Sequence, residues 1–536
     1  MTKFGRLGAA LVGMTLVAAA CGGSGSDSAE TAGSIDDNIK NEVQNQLGGT
    51  DTSEGDTATS GGDEGSEPAT AHPTSIEDWE KLWEEERAAV VARIKENGWG
   101  LQEDGTITGP EGFMVDTKAD CPADWSNTEG LSDDNIKVGN PTPLSGTLAD
   151  AGNISKAMQM VFDHYADQDF FTDSEGKNRR VELLIKDDGY DPARTIPLVD
   201  EFMDSDRVFA ISGLGSPNVM KTYDKINERC VPHPFVVTGH PAWGDPVNHP
   251  WTSGILMAYN TEAVLWGSFI DQHIDEYPDG IKVASIIMNN DFGAAYDGGL
   301  KAYIAQSPNK DKITYVSEKI EPQAPNLTDP MTNLAAQKPD MFIAMVAGTP
   351  CTQAFVEAAQ NGLKDDADYL FTASVCKPST NTSQEAAGMA PDGWWIMGGG
   401  FRDINASEWD GNAYIEWGRQ VIRDAGVDPK SSGNLGTGIA VGWNWSQSLK
   451  IAGELDGGLT RANFLVAYRA IDMTHGAYLD GIKFNANGNA DAYYIEGSEL
   501  AQRDQANEAW IVEGDIIELS GKSKNCAWDQ ALQDCT

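Results

Sequence analysis

The chain has 536 residues, more than a single hydrophobic core usually organises, so two or more domains are expected. Its composition, 40% hydrophobic and 22% charged, is typical of a soluble globular protein. The formal net charge of −44 repels phosphate backbones and anionic lipid headgroups, which argues against a nucleic-acid partner and against a polybasic membrane contact.

The first twenty residues have the pattern of an export signal. A short basic region, an apolar run and a three-alanine cleavage site precede Cys21. Residues 16–21 resemble a bacterial lipobox, in which the signal is removed and the new N-terminal cysteine is acylated, although Ala18 replaces the usual leucine. We therefore expect a signal peptide over residues 1–20 and a lipid on Cys21. An ordinary signal peptide followed by a free cysteine is the alternative.

An acidic stretch follows this cysteine. Residues 22–73 contain eleven Asp or Glu residues, a single basic residue, Lys40, and few apolar side chains. Such a composition does not bury enough apolar surface to offset chain entropy, so residues 21–74 are predicted to be a disordered tether. No segment after the signal reaches about 18 uninterrupted apolar residues, so no further membrane span is expected.

Residues 75–95 have the spacing of one amphipathic helix, with capping residues before it and Gly98 after it. One face collects the apolar residues Ile76, Trp79, Trp83, Val90 and Ile94. We expect this face to pack on the main body, and a contact with a partner protein is the alternative. Residues 98–134 are rich in Gly, Asp and Pro, so residues 75–135 are predicted to form a helix with an irregular extension.

From Ile136 onward, strand patterns alternate with amphipathic helices in two successive series. The first has strands at 136–140, 181–186, 208–212 and 234–238, and helices at 153–166, 192–204 and 218–228. The second has strands at 281–288, 313–318, 341–346 and 369–373, and helices at 262–275, 294–305, 329–337 and 353–361. Right-handed crossovers make such sheets parallel, so we predict an α/β protein with two Rossmann-like lobes.

The remaining sequence contains one more strand pattern at 394–397 and helices at 411–425, 437–454 and 461–471. Polar, loop-rich sequence is expected beyond them. If these helices complete the first lobe, the chain crosses between the lobes more than once and the crossings form a hinge. The predicted domains are lobe 1 at 136–253 plus 396–475, lobe 2 at 254–395 plus 476–520, and a C-terminal tail at 521–536.

Six cysteines remain once Cys21 is set aside, an even number that suits up to three disulfides in an exported chain. Fifteen full pairings are possible. The most local choice joins Cys526 to Cys535 and Cys351 to Cys376, and leaves Cys121 for Cys230. Cys351 and Cys376 follow neighbouring predicted strands, so their bridge would lie near a cleft rim; a reactive thiol is the alternative there. No spacing matches a zinc site.

Several strings resemble, in order, the type I periplasmic-binding-protein fold. They are residues 136–146, 148–152, 187–192, 211–216, 231–232, 289–293 and 481–488. The likeness extends from about Ile136 to about Ile517 and is closest to the leucine/isoleucine/valine-binding-protein-like substrate-binding proteins of ABC importers. It implies two lobes with parallel-rich sheets and a multi-crossing hinge. It also implies a lipid-anchored monomer on the outer face of the cytoplasmic membrane that delivers a small molecule to an ABC permease.

In open parallel sheets, ligands bind beyond the carboxyl ends of the strands. The loops after the predicted strands, and the positions implied by the resemblance, supply the expected ligand-binding residues. They are Ser145, Gly146, Ala151, Gly215, Ser216, Pro217, Thr238, Gly239, His240, Phe292, Thr349, Ser374 and Val375. The serine hydroxyls are expected to hydrogen-bond the solute and Phe292 to stack on it, with ordinary turn chemistry as the alternative.

Two departures from the resembled family bear on the ligand. Amino-acid-binding members commonly have a large aromatic residue where this chain has Ala151, and an acid that pairs with the amino group where it has Val375. A buried ammonium without that carboxylate would cost several kcal/mol. The resemblance therefore implies a neutral amide, a carboxylate, or a larger apolar or aromatic solute in place of an α-amino acid.

Other functional classes receive less support from the sequence. His233, His240 and His249 each precede a proline, which is more typical of turns than of metal ligands, so no metal or cofactor is expected. His240 remains a candidate cleft residue because it follows a strand end. No G-x-S-x-G, H-E-x-x-H or Walker pattern occurs in the lobes, so an enzyme is not expected. The alternatives to a transport protein are a ligand sensor of the same fold and a lipoprotein enzyme.

Overall fold

The computed structural model describes residues 37–47, 71–532 and 534–535. The expected signal peptide, Cys21 and most of the expected tether lie outside the described residues. None of the helices in these described ranges combines the length and hydropathy needed to traverse a bilayer.

Two helices and a small antiparallel sheet precede the lobes. They are α1 (Asp37–Leu47), α2 (Ile76–Asn97), β1 (Gly100–Leu101), β2 (Thr106–Thr108) and β3 (Met114–Asp116). Ser75 caps α2, since its Oγ accepts a hydrogen bond from the Asp78 amide at 3.1 Å. Gly98, with a φ of 65°, ends α2 in the left-handed conformation that favours glycine. The irregular extension predicted over residues 98–134 is therefore partly a sheet.

The first lobe is built on parallel strands with helices between them. Its elements are β4 (Asn135–Thr142), α3 (Gly152–Ala166), β5 (Arg180–Asp187), α4 (Pro192–Asp204), β6 (Ala210–Ile211), α5 (Ser216–Met220), α6 (Tyr223–Glu228), β7 (His233–Val236) and β8 (Thr252–Gly254). The strand order is β5-β4-β6, and β7 pairs with β8. Backbone bonds from Ile211 to Pro232 (2.9 Å) and from Val237 to Gly213 (2.8 Å) link β7 to the end of β6.

The second lobe repeats this alternation. Its elements are α7 (Tyr259–His273), β9 (Ile281–Met288), α8 (Asp291–Gln306), β10 (Ile313–Ile320), α9 (Thr328–Ala336), β11 (Met341–Met345), α10 (Thr349–Gln360), α11 (Leu363–Asp366), β12 (Tyr369–Thr372), α12 (Ser379–Thr382), α13 (Gln384–Ala387) and β13 (Trp395–Met397). Strands β10, β9, β11, β12 and β13 pair in that order, all parallel. Strand β11 is buried along its whole length, as expected for a strand covered by helices on both faces.

The chain then returns to both lobes. The elements are α14 (Ala413–Asp424), α15 (Asn434–Glu454), α16 (Arg461–Arg469), β14 (Asp472–Met473), β15 (Phe484–Asn485), β16 (Ser498–Asp504), β17 (Ala509–Ile517), β18 (Trp528–Asp529) and β19 (Asp534–Cys535). Helix α15 packs on α3 of the first lobe. Strands β16 and β17 extend the second sheet beyond β13 in antiparallel fashion. The α/β architecture with two parallel-rich sheets is therefore confirmed, whereas the loop-rich sequence predicted beyond residue 471 is wrong over β16 and β17.

Two glycines allow the close approach of α15 to α3. A Cβ atom on Gly438 would lie 2.3 Å from the carbonyl oxygen of Ile154, and one on Gly442 would lie 2.9 Å from Cβ of Val161. Both distances are shorter than side-chain carbons tolerate. The backbones of the two helices therefore pack directly on each other.

Helix α2 packs on the main body, as its apolar face predicts. Trp79 and Trp83 are fully buried. The Trp83 indole packs near Tyr414 and Trp443, and its Nε1 donates to the Thr474 carbonyl at 2.9 Å. This face is consequently not free for a partner protein.

Residues 37–47 form helix α1, so the disorder predicted for residues 21–74 is wrong over this helix. Ile39 and Val43 lie one turn apart and are buried against the second lobe, where α1 packs on α7. Gln46 exchanges two hydrogen bonds with the backbone of Glu518, at 2.9 and 3.0 Å. Lys40 and Gln44 add hydrogen bonds to the Gln306 carbonyl at 2.9 Å and the Tyr303 hydroxyl at 3.2 Å, so several contacts hold this helix on the second lobe.

All three disulfides of the predicted pairing are confirmed. Disulfides join Cys121 to Cys230, Cys351 to Cys376 and Cys526 to Cys535. The bridge between Cys351 and Cys376 is fully buried in the second-lobe core, directly beside the cavity-lining residues Thr352 and Val375.

Candidate ligand-binding site

A cavity of about 390 Å³ lies between the two lobes. Loops after β4 and β6 of the first lobe, and after β11 and β12 of the second, contribute to its wall. The crossing segments around residues 255–259, 398–401 and 434–441 complete it. The cavity therefore occupies the position at the carboxyl ends of parallel strands where this class of sheet binds ligands.

Most of the predicted site residues meet in this cavity. Those that line it are Gly146, Ala151, Gly215, Ser216, Phe292, Thr349, Ser374 and Val375. They come from both lobes and are separated by up to 229 positions in the chain, from Gly146 to Val375. Their direct contact with a ligand stays a prediction.

Two predicted residues of the first lobe lie outside the cavity wall. Ser145 is exposed, and its Oγ donates to Oδ2 of Asp187 at 2.7 Å, so the hydroxyl is used to fix the loop. Pro217 is buried within the first turn of α5, where it starts the helix.

Three residues that follow β7 also turn away from the cavity. Thr238 is buried and its Oγ1 lies 2.6 Å from Ser216 Oγ, so it supports a wall residue from behind. Gly239 has no room for a side chain, because a Cβ would lie 2.1 Å from the carbonyl oxygen of Met257. His240 is fully buried beside Trp528 of the C-terminal tail, with ring centroids 4.5 Å apart, and is not a cleft residue.

Several cavity residues were not predicted from the sequence. They are Asp150, Tyr190, Tyr259, Lys377, Phe401 and Tyr478. Tyr190 lies three residues beyond the end of β5, so a search limited to the residues immediately after strands passes over it. Phe401 and Tyr478 lie in the crossing segments, where no strand pattern marks their position.

The lobes contact each other through residues that line the cavity. Thr147 of the first lobe donates from Oγ1 to the Pro322 carbonyl at 2.7 Å and from its amide to Oε1 of Gln323 at 3.2 Å. Its carbonyl oxygen accepts from the amide and the hydroxyl of Thr349, at 3.1 and 2.9 Å. These bonds require the loops after β4, β10 and β11 to meet, so the two lobes are in direct contact beside the cavity.

A hydrogen-bond network centred on Asp150 forms one polar part of the wall. Its Oδ2 accepts from Ser432 and Asn434 at 2.7 Å each and from Thr380 at 3.0 Å, and its Oδ1 accepts from Asn153 at 2.9 Å. Thr380 follows β12 of the second sheet, whereas Asp150 follows β4 of the first. The carboxylate therefore joins the lobes and the crossing segment before α15.

A second polar cluster stands behind Ser374. Glu262 is fully buried; its Oε1 accepts from the Ser374 amide at 2.7 Å, and its Oε2 lies 2.8 Å from Ser374 Oγ and 2.7 Å from the Tyr296 hydroxyl. Burial raises the pKa of Glu262 to about 8, and the charge of Glu499 adds to the rise, against these hydrogen bonds. Glu262 is thus mostly protonated at neutral pH.

The histidines do not assemble a metal site. His249 lies 2.9 Å from Asp224 and 3.2 Å from Asp245, and His233 pairs with Thr252 at 3.2 Å. Across residues 37–47, 71–532 and 534–535, no group of three or more His, Cys, Asp or Glu side chains is arranged to hold a metal ion.

A family model described as periplasmic binding protein matches residues 135–477, more than half of the chain. The chain belongs to the periplasmic binding protein family. Proteins of this family are extracytoplasmic binding proteins and not, as a class, enzymes. No curated protein matches the sequence.

Solved structures of other periplasmic binding proteins share the type I fold. The substrate-binding protein of a fatty acid ABC transporter from Thermomonospora curvata is 17% identical, with a TM-score of 0.58 over 74% of this chain and 96% of that one. A branched-chain amino acid ABC transporter protein from Thermus thermophilus with bound valine is 14% identical, with a TM-score of 0.61 over 72% and 97%. A solute-binding protein from Rhodopseudomonas palustris BisB5 in complex with 3,4-dihydroxybenzoic acid is 15% identical, with a TM-score of 0.58 over 72% and 97%.

Proposed function

We propose that this periplasmic binding protein is an extracytoplasmic lipoprotein that captures a small molecule between its lobes and delivers it to an ABC importer. The observation that carries the proposal is the cavity of about 390 Å³ lined by loops of both lobes, which hydrogen-bond to each other beside it. A volume in this range suits a metabolite, and its enclosure by two lobes ties binding to closure. The solved relatives named as ABC transporter proteins support the role in import.

Capture is tested by thermal-shift screening against a metabolite library, followed by calorimetry on the hits. A ligand that binds only the folded protein raises its melting temperature by mass action. Ala151→Trp places an indole in the cavity and is expected to abolish binding, because Ala151 lines the wall. Ala386→Trp, at an exposed position of α13 in the second lobe, is the matched control and is expected to bind normally. Equal binding by the two variants would contradict the proposed cleft.

Recovery of the ligand separates a receptor from an enzyme. A receptor returns the solute chemically unchanged after long incubation, whereas a lipoprotein enzyme of this fold would yield a product. Mass spectrometry of the supernatant distinguishes the two outcomes.

Delivery is tested by uptake of the labelled solute in a strain that lacks the gene. Complementation with the wild type is expected to restore uptake, and complementation with Ala151→Trp is not. Normal uptake without the gene, combined with a lost transcriptional response to the solute, would favour the ligand sensor.

Lipid anchoring is tested at Cys21. The wild type is expected in the membrane fraction with a diacylated N-terminal cysteine, and Cys21→Ser in the culture supernatant or periplasm. An unmodified cysteine in the mature wild-type protein would support the ordinary signal peptide.

A further inference from the structure

The cavity wall contains few charges, and each of them already has a partner. Among the described residues that line the cavity, Asp150 and Lys377 are the two with a formally charged side chain. The other wall residues are largely apolar, among them Leu148, Ile154, Leu214, Ile255, Met257 and Phe292. Whether the ligand is charged depends on whether these two groups are available to it.

Asp150 directs most of its hydrogen-bonding capacity to the protein. Its Oδ2 accepts from Thr380, Ser432 and Asn434, and its Oδ1 accepts from Asn153. A ligand ammonium would compete with these donors for the carboxylate. A donor displaced between the lobes loses about 1–3 kcal/mol, which opposes binding of a cation.

Lys377 is neutralised by a buried acid. Its Nζ donates to Oε1 of Glu499, the one side chain among the described residues that accepts from this ammonium. The side chains of Lys377 and Glu499 are 8% and 0% exposed, so the pair is shielded from solvent. The second oxygen of Glu499 accepts from the Gly400 amide at 2.6 Å. A ligand carboxylate that approached Lys377 would also approach Glu499, and the repulsion of two buried anions opposes binding.

Glu262 does not line the wall itself. It lies behind Ser374, and its raised pKa favours the protonated form at neutral pH. The hydroxyls of Ser374 and Ser216 already have partners, Glu262 and Thr238, although each retains capacity to bond a ligand group. The wall therefore offers neutral hydrogen-bonding groups and apolar surface.

From this distribution we infer that the ligand is an uncharged, predominantly apolar molecule with one or two hydrogen-bonding groups. The cavity of about 390 Å³ is in the size range of sites that bind small organic molecules. A zwitterion of that size would bury an ammonium and a carboxylate beside groups that already have partners. The inference rests on the proposed function, because it names the class of solute that the cleft takes.

The test compares molecules of nearly the same shape and different charge. The four probes are 4-phenylbutanamide, 4-phenylbutanoate, 4-phenylbutylamine and phenylalanine, measured by calorimetry at pH 7. The amide is expected to bind at least tenfold more tightly than each charged probe. A charged probe that binds as tightly as the amide overturns the inference and leaves solute capture intact.

Glu499→Gln removes the acid that neutralises Lys377. In this variant the freed ammonium is expected to improve the affinity for 4-phenylbutanoate at least tenfold relative to wild type. The double variant Lys377→Met/Glu499→Gln is the matched control: it has no freed ammonium and is expected to show no such gain. It also replaces a buried ion pair by neutral side chains, a change that proteins often tolerate, so it keeps the test valid if the single variant fails to fold.

If none of the four probes binds, the metabolite screen tests whether the ligand is uncharged. Hits that are neutral and apolar support the inference, and hits that are all charged overturn it. A screen in which no metabolite of any charge stabilises the protein contradicts the proposed function together with this inference.

Discussion

The carbonyl oxygen of Thr147 accepts two hydrogen bonds from Thr349, one from its amide at 3.1 Å and one from its hydroxyl at 2.9 Å. The two residues belong to different lobes, so this contact exists only while the cleft is closed. The Thr349 hydroxyl therefore adds to the stability of the closed form, and a substitution can remove it.

Thr349→Val removes the hydroxyl donor and keeps the shape of the side chain. The lost bond lowers the stability of the closed form by about 0.5–1.5 kcal/mol, so ligand affinity is expected to fall roughly two- to tenfold. Calorimetry with any confirmed ligand measures this change. Thr332→Val, which removes a hydroxyl bonded within α9 of the same lobe, is the control and is expected to leave affinity unchanged. Equal affinities in the two variants would show that this contact does not stabilise closure.

The disulfides are expected to contribute according to the length of chain that they close. Cys351 and Cys376 are 25 positions apart, and Cys526 and Cys535 are 9 apart. Loop-closure entropy assigns about 3.5 kcal/mol to the first and about 2.6 kcal/mol to the second. Replacing each pair by alanine and measuring denaturant unfolding under oxidising conditions is expected to give a larger loss for the 351/376 pair. The reverse order would indicate that the C-terminal tail contributes more than chain entropy predicts.

Glu262 predicts part of the pH dependence of stability. The unfolded chain releases this proton near pH 4.5, whereas the folded protein holds it until about pH 8. Between these values the folded state binds more protons, so the free energy of unfolding falls as pH rises, by up to ~1.4 kcal/mol per pH unit. Glu262→Gln lacks this titration, so its melting temperature relative to wild type is expected to increase from pH 5 to pH 8. Glu84→Gln, at an exposed position of α2, is the control and is expected to follow the wild-type dependence of melting temperature on pH. If Glu262→Gln also ran parallel to wild type, the raised pKa of Glu262 would be refuted.

Helix α2 is expected to be an integral part of the folded body. Trp83→Ala removes an indole that is fully buried among aromatic residues and hydrogen-bonded to Thr474. The cavity left behind is expected to cost about 3–5 kcal/mol of unfolding free energy. Glu84→Ala, on the exposed face of the same helix, is expected to change it by less than about 0.5 kcal/mol. If Trp83→Ala behaved like Glu84→Ala in urea unfolding, α2 would not be part of the cooperative unit.

The parts of the fold that the sequence predicts well are those set by local pattern. Strand β9 is an apolar run bounded by turn residues, and its predicted limits agree with the structure. Helix α2 has both its cap and its terminal glycine in the sequence. These features depend on neighbouring residues only, so they are visible without a fold.

The parts that sequence reasoning misses depend on distant residues. Strand β16 carries Glu499 and Arg503, which suggest a surface loop, yet both are buried; Glu499 pairs with Lys377, 122 positions away. The position of His240 after a strand end predicts a cleft residue, whereas in the structure its ring packs against Trp528 of the C-terminal tail. Burial of a charged or polar group is set by such long-range partners, which no local pattern reports.

The direct backbone contact of α15 with α3 extends the set of positions that control ligand affinity. Asn434, which bonds Asp150 in the cavity wall, begins α15; Gly438 and Gly442 lie one and two turns below it, roughly 6 and 12 Å along the helix. A methyl group at either glycine would force the helices apart and carry Asn434 away from its carboxylate partner. Laboratory selection of variants that bind a different solute is therefore expected to change Gly438 and Gly442 as well as residues that contact the ligand.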